Sequence, residues 1–108
     1  MKVNITKEGN DEITIDSWDM ISMHTTLAQI IHPMLVKQKE IAGIPFVSNT
    51  DVPKHLRSTD DYCLVKWQWV IDEMIYAFGR CKDDLYGEDA REENGLRLFG
   101  IYYRSLWH

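Results

Sequence analysis

The chain is poor in the residues that staple or punctuate a fold. Its 108 residues include only 2 Cys, 3 Pro and 6 Gly. Cys63 and Cys81 are 81 − 63 = 18 positions apart, in a stretch that reads as one helix. At about 1.5 Å per residue they would sit roughly 27 Å from each other, far beyond disulfide reach. No Cys-x-x-Cys pair exists, so neither a zinc site nor a thioredoxin-like redox site is expected, and both thiols read as reduced packing residues. Positive charge is also in deficit. Lys and Arg number 12 against 17 Asp and Glu, a net charge of −5, which argues against direct nucleic-acid binding and against an anionic membrane surface. No apolar run approaches the roughly 20 residues of a spanning helix. The start, Met1 to Glu8, lacks the apolar stretch of a signal peptide. The expectation is one soluble cytoplasmic domain over residues 1–108.

What is present is ordinary globular material with many aromatics. Hydrophobic residues make up 44% and charged residues 27%, enough apolar mass to rule out a disordered chain. Alternating β-branched residues, Val3-Asn4-Ile5-Thr6 and Ile13-Thr14-Ile15-Asp16, flank a Gly9-Asn10 turn and predict a β-hairpin over 2–16. A lone hairpin is marginal in water, so it must pack on something or pair with another chain. Three helices follow, over about 20–42, 59–82 and 88–106. The first has an apolar face of Met23, Leu27, Ile30, Ile31, Met34, Leu35 and Ile41, a cap at Asp19 or Ser22, a kink before Pro33 and a C-terminal cap at Gly43. The second opens on Ser58-Thr59-Asp60-Asp61 and carries Leu64, Trp67, Val70, Ile71, Met74, Ile75 and Phe78. The third carries Leu96, Phe99, Tyr102, Tyr103 and Leu106. Gly95 and Gly100 inside it cost about 1 kcal/mol each relative to Ala, so close approach of a helix or ligand is expected there. The fold class is mostly α, a small three-helix bundle with an N-terminal β-hairpin.

The usual signatures of catalysis are missing. His24 and His32 are eight residues apart and cannot grip one ion as an i, i+4 pair does. Asp72-Glu73 is the only paired acid in a mostly apolar stretch and reads as solvated. The Glu-x-x-His repeat of a di-metal bundle is absent, as are a Gly-x-Ser-x-Gly elbow and a Gly-rich phosphate loop. No catalytic residue, metal or cofactor is expected. A phosphohydrolase built on Asp72, Glu73 and His24 is the enzymatic alternative. The acidic segment 82–93, net 2 − 6 = −4, suits a helix N-terminus or, as another alternative, an inhibitory surface for a protein partner.

The aromatic and basic residues near the C-terminus carry more. Arg97, Tyr103, Arg104 and Trp107 fall in one stretch, and Trp18 and Trp69 are not required by the core stripes. Trp, Tyr and Arg dominate binding hot spots, and they also stack on bases and clasp phosphates. These six residues form the candidate ligand-binding set; completing the core or a dimer seam is their competing use. Arg104, between Tyr103 and Trp107, needs an acceptor. Either a carboxylate such as Asp72 or Glu73 or an anionic ligand would serve.

Several blocks carry a resemblance: Thr26-Leu27-Ala28-Gln29-Ile30-Ile31-His32-Pro33-Met34-Leu35, Trp67-Gln68-Trp69-Val70-Ile71-Asp72-Glu73-Met74-Ile75 and Asn94-Gly95-Leu96-Arg97-Leu98-Phe99-Gly100. In this order, across about Ile13 to Trp107, the chain resembles a family of small tailed-bacteriophage proteins. The resemblance implies a viral product working in the host cytoplasm and brings no established activity with it. Family members tend to be longer, and tend to read Asp-His where this chain has His24-Thr25. The expectation is a non-enzymatic, homo-oligomeric binding protein of virus–host interaction, taking a nucleotide-like signal of host defence or, alternatively, a host protein.

Overall fold

The computed structural model describes residues 1–41, 43–57 and 63–107. Within them the chain is mostly helical, with a small antiparallel hairpin at its N-terminus. β1 (Lys2–Asn4) pairs with β2 (Glu12–Thr14) so that Val3 faces Ile13. Gly9 takes the left-handed conformation, φ 78°, that the turn requires. Thr6 and Asp11 close the loop with side-chain bonds to the backbone N–H groups of Asn10 and Thr6, both at 3.0 Å. Alternation should bury one face, yet Val3, Ile5, Ile13 and Ile15 are all exposed. The terminal ammonium of Met1, 3.0 Å from the Asp19 carboxylate, ties the hairpin to the helices instead of an apolar contact.

A short helix precedes the first long one. α1 (Ser17–Ile21) is capped by Asp16. Asp16 Oδ1 accepts from the N–H groups of Trp18 and Asp19, and Asp19 Oδ2 accepts in return from Asp16 N–H at 3.0 Å, a reciprocal capping box. Ser22 then leaves the helical region, with φ −132° and ψ 68°, and α2 (Met23–Ile41) begins and runs on through Pro33.

The inward face of α2 differs from the expected one. Ala28 and Leu35 are buried, and Ile31 is partly so, while Met23, Leu27, Ile30 and Met34 are exposed. At about 100° per residue these seven positions span about 160° of the circumference, and one neighbouring helix covers only part of such an arc.

The expected opening of the second helix at Ser58–Asp61 lies outside the described residues. α3 (Leu64–Lys82) starts after Cys63, whose φ is 70°. Trp67, Val70, Ile71, Met74 and Phe78 are buried as predicted, and Leu64 is exposed. α4 (Ala90–Tyr102) is capped by Asp89, whose Oδ1 accepts from Glu92 N–H at 2.9 Å, and it gives way to a 3₁₀ turn at Tyr103–Ser105. It is therefore shorter than the expected 88–106. Its buried positions are Gly95, Leu98 and Tyr102, whereas Leu96 and Tyr103 are exposed.

α3 is the central element and packs against both α2 and α4. Lys39 bonds Asp72 at 2.7 Å and His32 lies beside Gly79, so α2 and α3 are antiparallel. Gly95 lies on the backbone of Glu73, with the Ala77 side chain 2.6 Å from where a Cβ would stand. This is the close helix approach anticipated there. Gly100 is different: nothing lies within 4 Å of its Cβ position. Gly43 does not have the positive φ of a helix cap; its place is filled by the Trp107 ring, 2.8 Å from a notional Cβ.

The 43–57 crossover holds two 3₁₀ turns, Asn49–Asp51 and Lys54–Leu56, and contributes buried Val47 and Val52 to the core. Tyr102 pins it. Its hydroxyl donates to Asp51 Oδ2 at 2.6 Å and accepts from Ser48 N–H at 3.1 Å. Burial, and next the bond to the Asp51 carboxylate, push the phenol up to about 12. The unfolded phenol ionises near 10, so this contribution is complete below pH ~10 and lost as pH rises through about 12. Alkaline denaturation is expected to steepen over that interval. Tyr102→Phe should flatten it while lowering stability at neutral pH by about 1–3 kcal/mol, as measured by urea unfolding at pH 7 and pH 11.

Candidate functional site

A cavity of about 420 Å³ opens between α2 and the C-terminal end of α4. α2 supplies Ile31, Met34, Leu35 and Gln38, α4 supplies Phe99, and the segment after it supplies Tyr103, Arg104 and Leu106. The helical spacing of 31, 34, 35 and 38 puts four side chains of α2 on one wall. Phe99 is held edge-on between Phe78 and Tyr103, with ring centroids 4.7 and 5.5 Å away, so the opposite wall is braced from the core. Gln38 Nε2 donates to the Trp107 carbonyl at 2.6 Å and ties the C-terminal segment back to α2.

Of the six expected ligand-binding residues, the structure brings Tyr103 and Arg104 into the cavity wall and sets Trp107 beside it, over Gly43. The other three lie elsewhere. Trp18 is 78% exposed on α1, Trp69 packs partly buried against the core, and Arg97 bonds Asn94 at 2.9 Å and pairs with Asp51 at 3.5 Å. Of the two kinds of acceptor open to Arg104, an anionic ligand or a carboxylate such as Asp72 or Glu73, neither of those two carboxylates serves it: Asp72 pairs with Lys39 and Glu73 with Arg91. Among the described residues Arg104 has no ion-pair partner, and it stands as the single cation of the cavity. The apolar wall was not recognised from sequence, since Ile31, Met34 and Leu35 read as core.

The acid pair on α3 is also not what it seemed. Glu73 is 8% exposed. It accepts from Arg91 Nε at 2.9 Å and Nη2 at 2.7 Å, and the Arg91 guanidinium lies 4.0 Å above the Tyr76 ring. The Tyr76 hydroxyl donates to Asp89 Oδ2 at 2.6 Å. That bond is the main reason the Asp89 carboxyl is held below its usual range and the Tyr76 phenol is raised. Arg80 Nε lies 3.2 Å from Asp89 and 3.6 Å from Glu92, near enough for Coulombic attraction but without hydrogen-bond alignment. Each charge here has a protein partner, so the cluster ties α3 to the start of α4. Two of the six acids of the 82–93 segment, Asp89 and Glu92, belong to it.

The residues of the enzymatic alternative are not assembled. His24 pairs with Asp84 at 3.2 Å, Asp72 with Lys39 and Glu73 with Arg91. Among the described residues no group of three His, Cys, Asp or Glu is placed to hold a metal ion. Cys63 and Cys81 are free thiols, and burial, with Glu92 next, pushes the Cys81 thiol up and away from nucleophilic use. Among these residues no helix is long and apolar enough to cross a membrane. No protein-family model, curated protein or solved structure matches the chain.

Proposed function

We propose that this chain is a non-enzymatic binding protein that holds a small anionic ligand in the cavity between α2 and the C-terminal segment. The observation that carries the reading is Arg104, without an ion-pair partner among the described residues, on the wall of an otherwise largely apolar cavity of about 420 Å³. That volume falls in the range of small-molecule sites, which are mostly apolar with a few polar groups to orient the ligand. Arg104 would clasp the anion and Tyr103 would lie against the ligand's body. The resemblance to tailed-bacteriophage proteins motivates the setting, an infected bacterial cell in which the protein sequesters a signal of host defence. Mass spectrometry of small molecules released from the purified, denatured protein tests this. Arg104→Ala is expected to fold normally and release none, and a folded variant that still carries the wild-type complement would remove Arg104 from the site.

The same reading includes self-association, with α2 to α4 as a three-helix bundle that is completed by a second copy. Met23, Leu27, Ile30 and Met34 recur at steps of four, three and four on the exposed side of α2, the spacing a partner helix fits. The unpacked faces of the hairpin add to this surface. Light scattering at micromolar concentration is expected to give about 25 kDa (2 × 12.7 kDa) or a higher multiple. Leu27→Glu together with Ile30→Glu should return it to 12.7 kDa. A monomeric parent protein would overturn the assembly.

A further inference from the structure

We propose that the ligand is a single-headed amphiphile, an aliphatic carboxylate whose chain lies along α2 and whose head meets Arg104; this rests on the binding reading above. Three observations select that class. First, the charge: among the described residues Arg104 is the only cation lining the cavity. A guanidinium matches a carboxylate one to one and in two parallel hydrogen bonds, whereas a phosphate monoester brings close to two negative charges to a single cation.

Second, the walls. Ile31, Met34, Leu35, Phe99 and Leu106 present hydrocarbon and ring edges. Apart from Arg104, the lining side chains offer polar atoms only at Tyr103 and Gln38, and the Gln38 amide nitrogen is already committed to the Trp107 carbonyl. A nucleobase carries several edge donors and acceptors. Most would be desolvated here without a partner, each costing about tenfold or more in affinity. A saturated chain leaves nothing unpaired.

Third, the shape. Four residues of α2 at steps of three, one and three line one long wall, and Arg104 lies beyond the end of α4, in the turn at Tyr103–Ser105. A volume of about 420 Å³ has room for about 14 groups of the size of a water molecule, near 30 Å³ each. Because the cavity is open on one side, a chain of about eight to ten carbons fills it.

Isothermal titration of the full chain with hexanoate, octanoate, decanoate and dodecanoate, each below its micelle concentration, tests the class. Decanol and adenosine monophosphate are the contrasting probes. Affinity is expected to rise about fourfold per methylene and to level off near ten carbons. Arg104→Ala is expected to weaken decanoate at least tenfold, to the level of decanol, with the melting temperature unchanged; should that variant be unstable, Arg104→Gln keeps the stem and should show the same loss. Met34→Trp, which fills the cavity from its α2 wall, is expected to weaken every chain length. Adenosine monophosphate binding more tightly than decanoate, and losing that affinity in Arg104→Ala, overturns the aliphatic class but leaves the cavity as the site. Failure of all probes to bind at millimolar concentration, or alkanoate binding that both variants leave intact, overturns the site as well.

Discussion

Gly95→Ala is expected to lower stability by about 2–3 kcal/mol, although alanine is the better helix former by about 1 kcal/mol. The methyl group would meet the Glu73 carbonyl and the Ala77 Cβ. Neither is the flexible tip of a side chain, so α3 and α4 must move apart, and the contacts of Leu98 and Val70 loosen with them. For a domain of this size the melting temperature should fall by about 8–12 °C. Gly100 lies five residues further along the same helix and is the control. Its Cβ position is empty, so Gly100→Ala should gain close to the full propensity difference and raise the melting temperature by about 4 °C. Circular-dichroism melts of the two variants check both signs. A Gly95→Ala protein that melts at or above the parent would show that the helices do not need this close approach.

Arg91→Ala is expected to cost about 2–4 kcal/mol, more than a typical surface charge. The side chain of Arg91 is half exposed, but its partner is not: Glu73 is buried on α3 and accepts three hydrogen bonds from Arg91. Removing the guanidinium leaves a desolvated carboxylate without a counter-charge. It also uncovers the Tyr76 ring that the guanidinium covers. The pair as a whole is worth less than its rupture. Glu73→Met combined with Arg91→Leu replaces both charges with hydrocarbon of similar length and should recover most of the loss. Urea unfolding of the single and double variants separates the two effects. A single Arg91→Ala cost under 1 kcal/mol would mean that water reaches Glu73 readily.

The Gly95 notch was legible in the sequence because glycine inside a helix has a known cost and a short list of returns. The charged network around Glu73 was not. Asp72 and Glu73 are adjacent acids, and adjacency says nothing about which of them turns inward. A step of about 100° puts Asp72 toward Lys39 of α2 and Glu73 toward Arg91 of α4. The candidate site divides in the same way. Tyr103, Arg104 and Trp107 stood out as aromatic and basic residues gathered in one short stretch, although Tyr103 also read as part of the apolar stripe of its helix. The wall that faces them comes from α2, more than 60 residues earlier, and its Ile31, Met34 and Leu35 carry no mark to separate cavity lining from core.

By itself the sequence determined the helical class, the hairpin with its left-handed Gly9 and the buried stripe of α3. Each of these follows from local rules: periodicity and turn chemistry act over a few residues. Tertiary structure alone decided that α2 turns Ala28 and Leu35 inward and leaves Leu27 and Ile30 out, that Gly43 makes room for Trp107, and that Arg104 meets no carboxylate among the described residues. Those outcomes depend on where a second helix or the chain terminus arrives in space. A helix with so wide an apolar arc has more than one face that could be buried, and only the neighbour that covers one of them makes it the core.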